Sequence, residues 1–186
     1  MVKNVTKWSY LEPFLNTREY LHLADISRIL KEPHPTVRKY LNYFEKEGVL
    51  IKQIKGRLTL YKLKVDSQNL IDYLTITEKE KLIKKCKENL LLKEIVSQIH
   101  ENLIQSEIII FGSAVNDIKK ANDIDILIIG KFNKEDKINC IEDKLNIKFH
   151  IINPLNLKDI TRTLKEEIIK KHLIINGSEK VIKWLV

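Results

Sequence analysis

The stretch from Glu107 to Ile129 constrains this chain more than any other. Glu107-Ile108-Ile109-Ile110-Phe111 is a short β-branched run, and Gly112-Ser113 follows it at once. Nine residues then lead to Asp123-Ile124-Asp125, which opens a second apolar run, Ile126-Leu127-Ile128-Ile129. Apolar runs of this length, rich in isoleucine, read as buried strands. Residues two apart on a strand point to one face, about 6.6 Å between Cα atoms. Asp123 and Asp125 therefore present carboxylates side by side, with Ile124 turned into the core. Two ionised carboxylates so placed repel unless a cation lies between them. Mg²⁺ takes carboxylate and phosphate oxygens together, which suits a nucleoside triphosphate. Gly-Ser at a strand end lets backbone N–H groups approach a phosphate, with the Ser hydroxyl as a further donor.

Apolar strand, Gly-Ser, nine residues, then Asp-apolar-Asp-apolar resembles the signature of the DNA polymerase beta-like nucleotidyltransferase superfamily, specifically its minimal branch. The resemblance assigns Gly112 and Ser113 to the triphosphate, and Asp123 and Asp125 to Mg²⁺ or Mn²⁺. It implies an NTP, with ATP as the expected one, and metal-dependent transfer of a nucleotidyl group to a hydroxyl on a protein or other acceptor. Downstream, 134–145 reads as a helix, 147–152 as a strand ending at Asn153-Pro154, and 157–171 as a further helix. The tail segment Ile174-Ile175-Asn176-Gly177-Ser178-Glu179-Lys180 is similar to the closing segment of minimal nucleotidyltransferases. Lys119-Lys120, between the two motifs, could assist triphosphate binding but reads better as a solvated loop.

One position departs from the pattern. The family places a third carboxylate on the next strand, where it helps hold the metal and activate the attacking hydroxyl. Here that register falls on His150, in Lys148-Phe149-His150-Ile151-Ile152. A neutral imidazole brings no negative charge and suits Mn²⁺ or Zn²⁺ better than Mg²⁺. His150 joins Asp123 and Asp125 as a candidate catalytic residue, as a general base. The substitution also favours reduced or absent transfer.

The first third has a different pattern. Trp8–Leu15 reads as a short helix. A second helix runs over Leu23–Lys31, with Leu23, Ile26, Ile29 and Leu30 as its apolar stripe. Pro35 suits the first turn of a third helix, Pro35–Glu47, which turns Val37, Leu41 and Phe44 inward and stops at Gly48. Val49–Ile54 and Leu58–Leu63 read as strands joined by Lys55-Gly56-Arg57. This order resembles the winged helix-turn-helix family, which implies double-stranded DNA as a partner and a role in transcription regulation. The third helix would enter the major groove. Thr36, Arg38, Lys39, Asn42 and Tyr43 lie off its apolar stripe, and Lys55 and Arg57, in the wing, would meet the DNA backbone or the minor groove. Arg and Asn can read base edges, whereas Lys and Thr mainly hold phosphates.

Charge agrees with that division. Residues 1–66 carry 13 Lys/Arg against 7 Asp/Glu, whereas 67–186 carry 20 against 18. A positive field localised in one third of a chain attracts polyanions. Between the two patterns, Thr77 and Glu80 form a capping-box spacing, so a helix is expected from Glu78 onward. Leu82, Ile83, Cys86, Leu90, Leu91, Ile95, Ile99 and Leu103 recur along it at helical spacing. His100 reads as a solvent-edge histidine. Cys86 and Cys140 show no metal-ligand spacing and read as buried thiols of a reducing compartment.

The expected architecture is thus α+β: a winged helix-turn-helix over 1–66, a helical connector over 67–104, and a mixed-sheet nucleotidyltransferase domain over 105–186. No apolar run nears the ~20 residues that span a bilayer, and the start lacks a signal-peptide core, so the chain reads as cytoplasmic with no membrane partner. A homodimer is compatible with DNA binding by such a module. Two function classes follow. One is a nucleotidyl-transferring enzyme. The other is a regulator or antitoxin-like binding module with a degenerate nucleotidyltransferase domain, for which the minimal branch suggests a toxin-like helical protein as partner.

Overall fold

The computed structural model describes residues 6–103, 106–118, 123–132 and 135–186, the side chain of Glu135 excepted. The chain divides into two compact units, one up to Glu80 and one from Lys81 to Leu185.

In the first unit a 3-10 turn, Lys7–Leu11, leads into α1 (Glu12–Leu15). Strand β1 (Leu21–His22) follows, then α2 (Leu23–Leu30) and α3 (His34–Lys46). The His22 ring caps α2 by accepting the Ala24 N–H at 3.2 Å, and Lys31 ends it in a left-handed conformation. Gly48, at φ +71°, ends α3. Its N–H donates to the Glu45 carbonyl and that of Val49 to the Phe44 carbonyl, the paired bonds of a Schellman motif. Strands β2 (Leu50–Lys55) and β3 (Leu58–Leu63) form a hairpin through Gly56 and Arg57. Gly56 at φ +59° supplies the positive dihedral such a two-residue turn needs at its first position.

Strand β1 adds antiparallel to β3, giving the order β1-β3-β2. Two residues are too few to show an alternation, so this strand left no mark in the sequence. Leu11, Phe14, Leu15, Ile26, Val37, Leu41, Phe44 and Tyr61 are buried as the core of the unit. The α2 stripe needs correction: Ile29 is 59% exposed and Ser27 is buried instead. Counting from Leu23, helical spacing brings 26, 27 and 30 onto one face and turns 29 away.

Helix α4 (Leu70–Glu88) crosses the division between the units. The expected start at Glu78 does not occur. Thr77 is buried in mid-helix, and its hydroxyl donates back to the Tyr73 carbonyl at 2.8 Å, so it caps nothing. The break comes at Asn89, whose Oδ1 accepts the Leu92 N–H at 3.1 Å and caps α5 (Leu90–Asn102). Ile83 and Leu90 are exposed rather than part of the apolar stripe.

The second unit continues with β4 (Glu107–Phe111), a 3-10 turn over Gly112–Val115, and β5 (Ile124–Ile129). Then come α6 (Glu135–Leu145), β6 (Phe149–Ile152), α7 (Arg162–Lys170), β7 (His172–Asn176) and α8 (Ser178–Leu185). The helix expected over 157–171 is shorter: Leu157–Asp159 is one 3-10 turn, and Thr161 caps a fresh start by accepting the Leu164 N–H. The sheet runs β6-β5-β4-β7, with β5 and β6 parallel and the other pairs antiparallel. It is mixed, as expected. The expectation of two buried thiols is corrected: Cys140 is exposed, turned away from the buried Ile138 and Ile141 of α6, and Cys86 is half-buried.

The two faces of this sheet are unlike. Ile108, Ile110, Ile124, Ile126, Ile128, Leu173 and Ile175 share a core with Leu92, Ile95 and Ile99 of α5 and Ile138 of α6. Helix α8 packs on β4 and β7, with Val181, Ile182 and Leu185 buried. Helix α5, read from sequence as part of a connector, thus gives its apolar face to the sheet. Gly177 joins β7 to α8 at φ +72°, where a Cβ would lie 2.5 Å from Glu107 Cγ and 3.2 Å from its Cα. Only glycine permits so close a crossing. Lys180 closes it with a 2.7 Å ion pair to Glu107. No described helix is long and apolar enough to cross a membrane.

Candidate functional site

Strand pairing sets Phe111 of β4, Asp125 of β5 and His150 of β6 opposite one another. Directly opposed residues share a sheet face. The neighbouring row, Ile110, Ile126 and Ile151, belongs to the other face, packed on α5 and α6. Asp125 and His150 therefore stand together at one end of the sheet, on the face away from that core. His150 Nδ1 lies 2.9 Å from Asp125 Oδ1. The Asp125 side chain is 31% exposed and that of His150 64%.

Gly112 closes the third side. At φ +74° it occupies left-handed backbone, and a Cβ there would meet Asp125 Oδ2 at 2.6 Å. The carboxylate thus rests directly against the glycine turn. The Gly112 N–H donates to the Lys171 carbonyl at 3.3 Å, tying the turn to the residue before β7. Ser113 is exposed beside it, whereas Ala114 is buried. Asp123 stands just ahead of β5, exposed, with Ile124 buried between it and Asp125. Lys119 and Lys120 lie outside the described residues.

Gly112, Ser113, Asp123, Asp125 and His150 are the residues expected from the sequence, and two others shape the same region without a sequence signal. One is Lys171, whose carbonyl holds the turn. The other is Glu142 of α6, which accepts the Phe149 N–H at 2.6 Å and the Lys148 ammonium at 3.1 Å. That carboxylate fixes the start of β6, the edge strand carrying His150. No spacing in the sequence marks a contact between a helix side chain and a later backbone N–H.

The donor set bears on what the site can hold. Two carboxylates, a hydroxyl and an imidazole are hard or borderline ligands. Among the described residues no group of three or more His, Cys, Asp or Glu is gathered as metal ligands. A complete protein cage is not what Mg²⁺ requires, because it is commonly held by one or two carboxylates and the phosphates of its substrate. Asp123 and Asp125 suit that mode.

The candidate DNA-contacting residues lie in the first unit and do not form one uniform surface. Arg38 and Lys39 of α3 are exposed, as are Lys55 and Arg57 at the hairpin turn, and Thr36 is half-buried. Asn42 is engaged: its Oδ1 accepts from Lys52 Nζ at 3.1 Å and from the Tyr61 hydroxyl at 3.0 Å. Burial and the nearby Glu45 charge push the Tyr61 hydroxyl up, partly offset by Arg38. It stays protonated and able to donate. Tyr43 lies edge-on to Phe44 with Lys7 Nζ 5.3 Å from its ring centroid. Asn42 and Tyr43 thus serve the packing of the unit, while the cations remain outside.

Residues 90–176, just under half the chain, match a family model described as a nucleotidyltransferase domain. No curated protein matches the chain. Among solved structures, a toxin-antitoxin complex crystallised with AMP-PNP is similar over 49% of this chain and 79% of its own, at 16% identity and a TM-score of 0.38. TrmBL2, an archaeal chromatin protein described as showing a novel mode of DNA binding, is similar over 87% of this chain and 69% of its own. Its identity is 18% and its TM-score 0.28.

Proposed function

We propose that the second unit binds a metal–NTP complex, with ATP the expected nucleotide, and transfers its nucleotidyl group to a hydroxyl on a protein or other acceptor. In this reading residues 105–186, with α5 packed into their core, form the nucleotidyltransferase domain. Residues 1–66 form a DNA-binding winged helix, joined through 67–104. The observation that carries the proposal is the Asp125 carboxylate seated against Gly112, in space that any larger residue would fill. That contact sets one acid of the Asp-apolar-Asp pair beside the glycine turn, in support of the phosphate-and-metal reading.

Asp123 and Asp125 would hold a divalent ion, Mg²⁺ or Mn²⁺, together with oxygens of the triphosphate. When bound, the ion supplies charge neutralisation at the phosphates during transfer. Ser113 donates its hydroxyl to the triphosphate. The Gly112 N–H is already directed at Lys171, so phosphate contact from this turn comes from Ser113 onward. The test is incubation with α-labelled NTPs and Mg²⁺ or Mn²⁺, offering the chain itself, tRNA and lysate as acceptors. Wild type should transfer label, and Asp123→Asn and Asp125→Asn should not. Equal transfer by both variants would remove the proposal.

His150 favours a second reading. Its ring engages one oxygen of Asp125 and contributes no negative charge where a third carboxylate would stand. A module of that kind binds NTP without chemistry and acts as a regulator or antitoxin-like protein, through DNA and a helical protein partner. NTP would then return unchanged while altering DNA affinity. Turnover distinguishes the two readings.

A further inference from the structure

We propose that the elbow between α4 and α5 and the turn that follows β4 form a binding site for a small zwitterion with an apolar body, of the class of free aliphatic α-amino acids. A cleft of about 150 Å³ opens there, and every residue lining it belongs to the second unit. Its floor is apolar: Leu92 of α5, Ala114 and Ile118 are buried, and Val115 is half-buried. Lys85, Glu88, Asn89 and Asn116 form its polar rim. An apolar cavity of about this size takes a molecule as large as benzene, so the floor accommodates a branched four-carbon side chain.

Charge selects the occupant. Lys85 and Glu88 are three residues apart, which sets their side chains on one face of α4 with about 5–6 Å between Cβ atoms. Among the described residues no ion pair joins them. Lys85 Nζ donates instead to the Val115 carbonyl at 3.3 Å. A simple anion in the cleft would meet the Glu88 carboxylate, and a simple cation would meet the Lys85 ammonium. A ligand with both charges answers each, its carboxylate on Lys85 and its ammonium on Glu88. Asn89 Oδ1 accepts the Leu92 N–H, which leaves the amide NH₂ to donate to the same ligand carboxylate.

The cleft is separate from the Asp125–His150 contact. Leu92, Ala114 and Ile118 belong to the core on the α5 face of the sheet, whereas Asp125 stands on the other face. A nucleobase bears neither charge and would leave both rim groups unanswered. Lys85 nonetheless links the cleft to the glycine turn. Its ammonium has three N–H donors, enough to take a ligand carboxylate and keep the Val115 carbonyl. Val115 ends the turn that carries Ser113. A ligand that fixes Lys85 should therefore steady the turn and tighten Mg·ATP binding, a linkage that rests on the nucleotide-binding reading of this unit.

The experiment titrates the full chain calorimetrically with leucine, isoleucine and valine. Three analogues of leucine dissect the site in wild type: 4-methylpentanoate lacks the ammonium, 3-methylbutylamine lacks the carboxylate, and glycine lacks the apolar body. Each should bind at least about tenfold more weakly than leucine. Lys85→Met and Glu88→Gln, whose thermal melts verify the fold, should each weaken leucine binding by a similar factor. Saturating leucine should tighten Mg·ATP binding about fivefold or more in wild type and leave it unchanged in Glu88→Gln. No binding of any of the three amino acids by wild type would overturn the site, as would leucine affinity equal to wild type in both variants. Adenosine bound in their place, and weakened by both variants, would overturn it in favour of a nucleobase. Leucine binding with no change in Mg·ATP affinity would keep the site and overturn its linkage to the turn. Leucine binding by a wild type that does not bind Mg·ATP would overturn the nucleotide reading and leave the cleft standing.

Discussion

Replacing Gly112 by alanine tests the site and its strain together. The residue sits at φ +74°, a conformation that costs an L-residue about 1–2 kcal/mol. The new Cβ would fall 2.6 Å from Asp125 Oδ2, so the carboxylate must swing aside and its 2.9 Å contact with His150 is disturbed. That contact is largely solvated and adds no more than about 1 kcal/mol. The expected destabilisation is then about 2 kcal/mol. Two other glycines calibrate it. Gly48, at φ +71° with nothing within 4 Å of a built Cβ, should show the strain alone. Gly177, at φ +72° with Glu107 Cα only 3.2 Å away, should cost about 3 kcal/mol or more, because backbone yields less readily than a carboxylate. Urea unfolding measures each cost, with Trp184 fluorescence in a Trp8→Phe background reporting the second unit and Trp8 in a Trp184→Phe background reporting the first. Calorimetric titration with Mg·ATP supplies the second readout. Gly112→Ala should lose at least about tenfold in affinity, whereas folded Gly177→Ala should bind as wild type. Wild-type affinity in Gly112→Ala would refute the placement of the phosphate and metal beside this turn.

Two further outcomes follow from local geometry. Asn89→Ala removes the acceptor for the Leu92 N–H, so the second unit should lose about 1 kcal/mol in urea unfolding, and Asn89→Asp should recover most of it. For the cysteines, burial raises the Cys86 thiol above its usual range, whereas Cys140 is exposed. Iodoacetamide attacks thiolate, so Cys140 should be alkylated first near neutral pH. Cys86 should gain reactivity only as pH rises through its elevated value. Equal rates in the folded protein, read by peptide mass, would contradict this.

Much of the architecture was legible because its signals are local. Pro35 and Gly48 bracket α3 through dihedral preference, and the isoleucine runs of β4 and β5 announce strands buried on both faces. What failed was equally local in cause. Thr77 carries a capping-box spacing, yet in mid-helix its hydroxyl has the Tyr73 carbonyl within reach and spends itself there. Strand β1 is two residues long and exists only because β3 offers an unpaired edge.

The sequence by itself determined the chemical inventory: a glycine turn, two acids two residues apart, a histidine where a third acid is expected, and a basic first third. Spacing along one chain carries that much, because strand and helix periods fix which neighbours share a face. Which side chains meet across strands was decided only in three dimensions. Parallel pairing of β5 with β6 set His150 beside Asp125, and antiparallel pairing with β4 brought Gly112 against the same carboxylate. Registers of this kind arise from packing two unlike sheet faces at once, and a slip of one residue would exchange those faces.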